Sequence, residues 1–226
     1  MPDLDFKIES AEAVTFAAAP LLAFQLSITN ANPGELIQSI MLRCQVQIET
    51  TRRKYDPPEQ EQLSDLFGEP DRWAQTLRPM LWTHTNTVVP PFHDQSTVAL
   101  PVPCTFDFNV AATKYFAALN EGEVPLNLMF SGTVFYEAAD NSLQAEQIPW
   151  DKEARFRLPV SVWKEMINLY YPNSAWLCVR RDVFDRLSRF KTQQGIPTWE
   201  QTLDLLLPPG TESKDDIIVV EESLPS

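Results

Sequence analysis

The strongest constraint on the fold is a strict alternation of apolar and polar side chains in two segments near the N-terminus. In residues 21–29 every second residue is large and apolar: Leu22, Phe24, Leu26 and Ile28. Residues 40–49 repeat the pattern with Ile40, Leu42, Cys44, Val46 and Ile48. Side chains with a period of two point to opposite faces of a β-strand, so both segments are predicted to be half-buried strands. The Pro-Gly turn between them predicts a sandwich sheet with one face in water.

Weaker alternation predicts more strands along the first two thirds of the chain. They fall around Phe6 and Ile8 and over residues 81–89, 97–102, 125–136, 143–148 and 154–158. On the first of the later strands, Trp82, His84 and Asn86 are predicted to share one face. Residues 107–119 mix both periods, and we interpret them as a strand that runs into a short helix.

Helix signals interrupt the strands once and then replace them. Asp56, Pro57 and Glu59 predict a helix with a capping box, and Gly68 predicts its end. After Pro159 the apolar period becomes helical, and two more helices are predicted, capped by Asp182 and Thr198. On the first of these two, Val183, Phe184, Leu187 and Phe190 are expected to point inward.

The fold class predicted from these patterns is α+β. We expect an antiparallel, immunoglobulin-like β-sandwich over residues 1–158 with a short helical insertion near residues 56–77. A small C-terminal helical section, residues 159–207, is expected to pack on the sandwich. Residues 208–226 are expected to be a disordered acidic tail.

Charge and composition exclude several classes of function. The formal net charge of −13 repels a polyanion, so no nucleic-acid partner is expected. Only 6 glycines accompany 19 prolines, which disfavours a glycine-rich phosphate loop. The acidic start lacks the pattern of a signal peptide, and no run of about 18 apolar residues occurs. We therefore expect a cytoplasmic protein without membrane insertion.

Candidate catalytic and metal-binding residues are sparse, and we predict no catalytic, cofactor or metal site. His84 and His93 are the two histidines, and they would need a converging carboxylate to bind a metal. Ser131-Gly132 lacks the flanking glycines of a nucleophile elbow and indicates a strand interior with close backbone packing. Cys44 falls on an apolar face and is expected to be inert, whereas Cys178 precedes two arginines that could lower its pKa. A reactive role of Cys178, His84 or His93 stays open at this level.

One basic segment contrasts with the acidic chain and is the predicted partner-binding site. It contains Arg180, Arg181, Arg186, Arg189 and Lys191 against two aspartates. Such a face can steer an acidic protein partner, or it can lie against the acidic sandwich of the same chain. Residues 215–222, an apolar centre between acids, are suited either to a solvated tail or to the addition of a strand to a sheet edge.

Several segments of the sequence resemble a known family. They are LRCQVQIE, YDPPEQEQLSDLFGEPDRW, LRPMLWTH, LPVPCTFDF, EVPLNLMFSGTVFY, IPWDKEARFRLPV, PNSAW and RDVFDRLSRFK. Over residues 5–207 the chain resembles a family of uncharacterised bacterial proteins encoded beside high-affinity nickel-iron hydrogenases. The resemblance implies an association with these enzymes and brings no catalytic residues.

The leading expectation is a non-enzymatic accessory or interaction protein. Its partner would be another protein, such as a hydrogenase subunit or maturation factor, and it would assist maturation, assembly or electron coupling of an uptake nickel-iron hydrogenase. The alternative is a ligand-binding β-sandwich that holds a small molecule or glycan on exposed Trp82, Trp150 or Trp176. An enzyme ranks third.

The purified protein is predicted to contain no stoichiometric metal and no disulfide, because neither the number of ligands nor the cysteine spacing supports one. Elemental analysis should find less than one zinc, nickel or iron per chain. Thiol titration of the denatured, unreduced protein should count all 3 cysteines. One metal ion per chain, or a single titratable thiol, would contradict this prediction.

Overall fold

The computed structural model describes residues 2–32, 34–105, 110–138, 140–174 and 179–207. The chain divides into two compact units, Met1–Ala175 and Trp176–Ser226, which are described separately. Expectations about Cys178, Trp176, the strand at Phe106 and Phe108, and the tail fall outside the described residues. No helix in these ranges is long and apolar enough to cross a membrane.

The first unit contains two antiparallel sheets. The strands in chain order are β1 (Leu4–Ala13), β2 (Leu21–Asn30), β3 (Ile37–Ile48), β4 (Met80–Val89), β5 (Gln95–Pro103), β6 (Glu123–Glu137), β7 (Leu143–Gln147) and β8 (Glu153–Pro159). Sheet one has the order β1-β2-β5, and sheet two has the order β4-β3-β6-β7, with β8 also paired to β6. The helices are α1 (Pro57–Phe67), α2 (Trp73–Thr76), α3 (Val110–Ala117) and α4 (Val160–Tyr170), with 3₁₀ turns at Thr50–Arg52 and Pro70–Arg72. The second unit contains α5 (Arg181–Gln193) and α6 (Trp199–Asp204).

The two sheets pack face to face on a shared apolar core, as the alternation of β2 and β3 predicts. Every apolar residue named for these two strands is at most 1% exposed. Aromatic rings cross the interface: Phe6 of sheet one stacks on Phe130 of sheet two at 4.5 Å between centroids, and Phe24 contacts Phe156 at 5.7 Å. The mixed, mainly antiparallel, sandwich-like architecture is therefore confirmed.

Strand β6 is the centre of sheet two and changes partner along its length. Its first half pairs with β8 from Glu123 to Met129, and its second half pairs with β7 from Thr133 to Glu137. The change occurs at Gly132, which has φ 139° and accepts a hydrogen bond from the Ile148 amide at 3.0 Å. A Cβ at Gly132 would lie 2.0 Å from the Met41 carbonyl oxygen, so only glycine fits. The predicted close backbone packing at this position is present.

A β-bulge in β4 turns Trp82 into the core. Val46 pairs with Thr83 and the next residue, Gln47, pairs with Leu81, which leaves Trp82 as an extra residue. Its side chain is 3% exposed and lies against Phe116 at 4.8 Å between ring centroids. The prediction that Trp82 shares an exposed face with His84 and Asn86 is wrong, because the bulge interrupts the period of two.

The predicted helical insertion is confirmed and its cap has the predicted geometry. Asp56 Oδ1 accepts from the Glu59 amide at 2.8 Å, the Asp56 amide donates to Glu59 Oε2 at 3.4 Å, and Gly68 is the C-cap. The sequence did not reveal that Glu59 also forms a buried ion pair with Arg53, with 2.5 Å between Oε1 and Nη2. Both side chains are less than a tenth exposed.

Arg53 and Glu59 fasten the insertion to the segment that leads into β6. Arg53 donates to the carbonyl oxygens of Glu121 at 2.9 Å and Glu123 at 3.0 Å. Glu59 Oε1 accepts from the Asn120 amide at 2.9 Å. One ion pair thus satisfies backbone groups about 60 to 70 residues away in the chain.

Helix α4 packs on the sandwich against β1, β2 and β8. Its buried face is Val160, Trp163 and Met166, and the Trp163 ring stacks on Phe116 at 5.3 Å with 12° between planes. The Tyr170 hydroxyl donates to the Val14 carbonyl at 2.8 Å and accepts from the Ala17 amide at 3.0 Å. This helix belongs to the first unit, and the packing of residues 179–207 on the sandwich stays a prediction.

Gly132→Ala is predicted to lower the free energy of unfolding by at least about 3 kcal/mol or to prevent folding, because the new methyl group collides with a backbone oxygen of β3. Gly68→Ala is the matched control: its φ is 73° but nothing lies near the added Cβ, so it should cost about 1 to 2 kcal/mol. Urea unfolding followed by circular dichroism measures both. Equal costs for the two variants would contradict the close approach at Gly132.

Trp163→Ala is predicted to cost about 3 to 5 kcal/mol, because it leaves a cavity beside Phe116. Leu169→Ala on the same helix should cost less than about 1 kcal/mol, since Leu169 is 49% exposed. The same unfolding measurement applies. A small effect at Trp163 would show that α4 adds little to the core.

Candidate functional site

Helices α5 and α6 form an amphipathic pair in which the short α6 leaves part of the apolar side of α5 uncovered. Val183, Leu187 and Phe190 follow the i, i+4, i+7 spacing of one helical stripe, yet no residue of α5 is buried. Phe184 is 47% exposed. Helix α6 has only six residues and leaves these side chains partly exposed, and the expectation that they point inward onto the sandwich stays a prediction.

The start of α5 also differs from the sequence expectation. Its N-cap is Arg180 and no side chain caps it, so Asp182 lies inside the first turn. There its carboxylate can still interact favourably with the positive end of the helix dipole. Thr198 caps α6 as predicted, since its hydroxyl oxygen accepts from the Gln201 amide at 3.2 Å.

Trp199 fixes the two helices to each other. Its ring contacts Phe184 at 5.3 Å between centroids, and Lys191 Nζ lies 5.8 Å from the ring centroid. Lys191 Nζ also donates to the Pro197 carbonyl at 2.9 Å. These contacts pre-form the groove between the helices and assign Lys191 a structural role within the pair.

A groove of about 340 Å³ lies on the open side of the pair. Its wall is formed by Val183, Arg186, Leu187, Phe190 and Leu206. We call this set the α5–α6 groove. The next leucines after α6 extend the apolar surface: Leu205, Leu206 and Leu207 are 66%, 54% and 55% exposed. Sequence reasoning missed them, although three consecutive leucines before a proline exceed what one helix face can bury.

The five predicted basic residues lie on or just before α5. Arg180 Nη2 lies 3.4 Å from Asp182 Oδ2, and both side chains are exposed. This ion pair therefore contributes little to stability. Arg189 Nε donates to the Asp185 carbonyl at 3.2 Å. Within residues 179–207, as described, neither Arg181 nor Arg186 has a carboxylate partner. Arg186 is the cation that lines the α5–α6 groove.

A second, polar cavity of about 510 Å³ lies on the outer face of sheet two. It is open to solvent and is lined by Arg43, Gln45, His84, Asn86 and Ser131, together with Cys44 and Thr85. His84 Nε2 lies 3.2 Å from Gln45 Oε1, and in the described ranges no hydrogen bond joins His84 to Ser131. The arrangement supplies amide, hydroxyl and guanidinium groups that could hydrogen-bond a polar ligand.

The remaining candidate groups do not converge. His93 is exposed between β4 and β5, away from His84 on β4, and no metal-binding cluster of three His, Cys, Asp or Glu side chains occurs where the structure describes the chain. Burial raises the pKa values of Cys44 and Cys104 to about 12, so both thiols are protonated near neutral pH. Trp150 is 92% exposed in the turn between β7 and β8.

The comparison with solved structures gives weak matches. A solution structure assigned to the late embryogenesis abundant (LEA) proteins shares 11% identity over 70% of this chain and 73% of its own, with a TM-score of 0.30. A Bordetella pertussis protein assigned as ApaA shares 12% identity over 70% of this chain and 93% of its own, with a TM-score of 0.23. A β-glucosidase from Kluyveromyces marxianus gives 8% identity over 69% of this chain and 15% of its own, with a TM-score of 0.24.

Comparison of the sequence with family models identifies the family of the chain. No curated protein matches it. A family model described as a family of unknown function, DUF6084, matches residues 1–215. Because this match covers nearly the whole chain, the protein belongs to the DUF6084 family.

Proposed function

We propose that this protein is a non-enzymatic interaction protein of the cytoplasm and that the α5–α6 groove is its docking surface for another protein. The observation that supports this most is an amphipathic helix of 13 residues with no buried side chain. An apolar helix face normally acquires its stability by burial, so a face left open indicates a missing partner.

The composition of the groove favours a protein partner. Its centre is aliphatic and aromatic, and fully burying one Leu or Phe side chain contributes about 1.5 to 3 kcal/mol. Arginine and aromatic residues are the types that dominate binding energy at protein interfaces, and both occur here as Arg186 and Phe190. The helix pair is held together by its own contacts at Trp199, which reduces the ordering cost on binding.

The charges around the groove favour an acidic partner. Arg181, Arg186 and Arg189 are exposed on a chain whose net charge is −13. A local basic face on an acidic protein orients an acidic partner during encounter and repels nucleic acid elsewhere on the surface. The resemblance to proteins encoded beside nickel-iron hydrogenases supports a hydrogenase subunit or maturation factor as this partner, and maturation, assembly or electron coupling as the process.

We further propose that the sandwich is immunoglobulin-like. The order β1-β2-β5 matches strands A, B and E, and β4-β3-β6-β8 matches an added edge strand followed by C, F and G. The hairpin strand β7 and the helical insertion are additions to this plan.

A ligand-binding sandwich is the second candidate, supported by the polar cavity around Arg43 and His84. Trp82 is excluded as a stacking platform because it is buried, whereas Trp150 is exposed. A polar ligand in this cavity would lose affinity on His84→Ala while the capture of a protein partner stayed unchanged.

Reversal of two charges on α5 is predicted to reduce capture of the partner strongly. The experiment is affinity purification from the native host with mass spectrometry, using the wild type and the Arg186→Glu/Arg189→Glu variant. Capture should fall at least about tenfold, because the change replaces attraction by repulsion during encounter. Each exposed substitution should change stability by no more than about 0.5 kcal/mol.

The matched control is Arg155→Glu/Arg157→Glu on β8, which makes the same charge change on another surface. Both of these side chains are 65% exposed and their ion pairs with Glu153 and Glu123 lie on the surface, so the control should fold and retain the partner. Equal capture by all three proteins, or equal loss in both variants, would reject the α5–α6 groove as the docking surface. A captured protein without a hydrogenase subunit or maturation factor would reject the hydrogenase association.

A further inference from the structure

A segment near the end of the chain has aliphatic and acidic side chains that are complementary to the apolar and basic side chains of the α5–α6 groove. Residues 215–222 read Asp-Asp-Ile-Ile-Val-Val-Glu-Glu, four aliphatic side chains with two carboxylates on each side. We propose that this segment, which we call the tail segment, occupies the α5–α6 groove of its own chain and competes with the partner. This inference rests on the proposed function of the groove as a docking surface.

The two surfaces are complementary in both apolar character and charge. The groove offers Val183, Leu187, Phe190 and Leu206 to the aliphatic centre of the tail segment. Arg186 lines the groove without a carboxylate partner in residues 179–207, and Arg181 likewise has none. The flanking acids of the tail segment would supply these partners as charge-assisted hydrogen bonds. Elsewhere the acidic chain repels the tail segment.

The distances along the chain allow this contact. Leu206 is itself part of the groove wall, so the chain leaves the groove at its edge. The ten residues from Leu207 to Ile217 can span up to about 33 Å when extended. Helix α5, with 13 residues, is about 20 Å long. The tail segment can therefore reach any position along the groove.

Covalent linkage makes even a weak contact effective. A short flexible linker gives an effective concentration in the millimolar range; at about 5 mM, a tail segment with a dissociation constant near 0.5 mM would occupy the groove about 90% of the time. A partner would then bind about tenfold more weakly than it does to a free groove. The partner's own docking segment should share the chemistry of the tail segment, aliphatic residues between acids.

Photo-crosslinking in the full chain tests the contact directly. Val219 is replaced by p-benzoyl-phenylalanine, the purified protein is irradiated without any partner, and the cross-linked peptides are identified by mass spectrometry. The expected product is an intramolecular link between residue 219 and α5 or α6. Its yield should fall at least about fivefold with Arg186→Glu/Arg189→Glu and stay unchanged with Arg155→Glu/Arg157→Glu.

Hydrogen exchange in a chain without the photo-reactive group provides the second measurement. The amides of α5 have the same sequence in the wild type and in the variant Ile217→Ser/Ile218→Ser/Val219→Ser/Val220→Ser, so their rates compare directly. They should exchange at least about threefold more slowly in the wild type, because the docked tail segment stabilises the helix.

Three outcomes would overturn the proposal. A link to residues 2–174 would indicate strand addition to the sandwich, and a link found only between two chains would indicate a second copy as the occupant. No link, together with equal exchange rates in α5, would show a groove that the tail segment does not occupy. The cross-linking is done without a partner and is therefore independent of the capture experiment. An intact intramolecular link with no hydrogenase subunit or maturation factor captured would reject the proposed partner and still support the docked tail segment.

Discussion

The close approach of β6 to β3 at Gly132 is the constraint on which the sandwich depends. No Cβ fits between the Gly132 backbone and the Met41 carbonyl, and this residue lies between the part of β6 that pairs with β8 and the part that pairs with β7. Strand β8 in turn carries Phe156 against Phe24 and leads directly into α4. The glycine thus marks the point at which sheet two divides between β8 and β7.

The buried pair of Arg53 and Glu59 attaches the helical insertion to the sheet. Two desolvated charges are costly, and their attraction compensates only when further hydrogen bonds are satisfied. Here Arg53 has two backbone carbonyls and Glu59 has two backbone amides as additional partners. The pair therefore specifies where the insertion sits more than it adds to stability. Removal of one member would leave the other charge buried and unpaired.

The sequence predicted features that depend on neighbouring residues and missed those that depend on distant ones. The alternation in β2 and β3 and the capping box at Asp56 are local patterns, and both are present. Trp82 was assigned to the wrong face because a bulge is a property of two paired strands and leaves no mark on one of them. Helical periodicity correctly predicted α5, but it could not show whether another element covers the apolar face.

The two units differ in how far their apolar side chains are buried, and this difference supports a binding role for the α5–α6 groove. The sandwich has a core of fully buried apolar side chains, whereas within the described residues no side chain of α5 is buried and Leu205, Leu206 and Leu207 are exposed. Exposed apolar surface promotes indiscriminate association, and the arginines beside it oppose that by repelling basic surfaces and other copies of the same face. The same charges attract acids. Apolar contacts would then determine the dissociation rate of a complex, while Arg186 and its neighbours would select acidic partners during encounter. The tail segment has both the aliphatic and the acidic side chains that these two steps require.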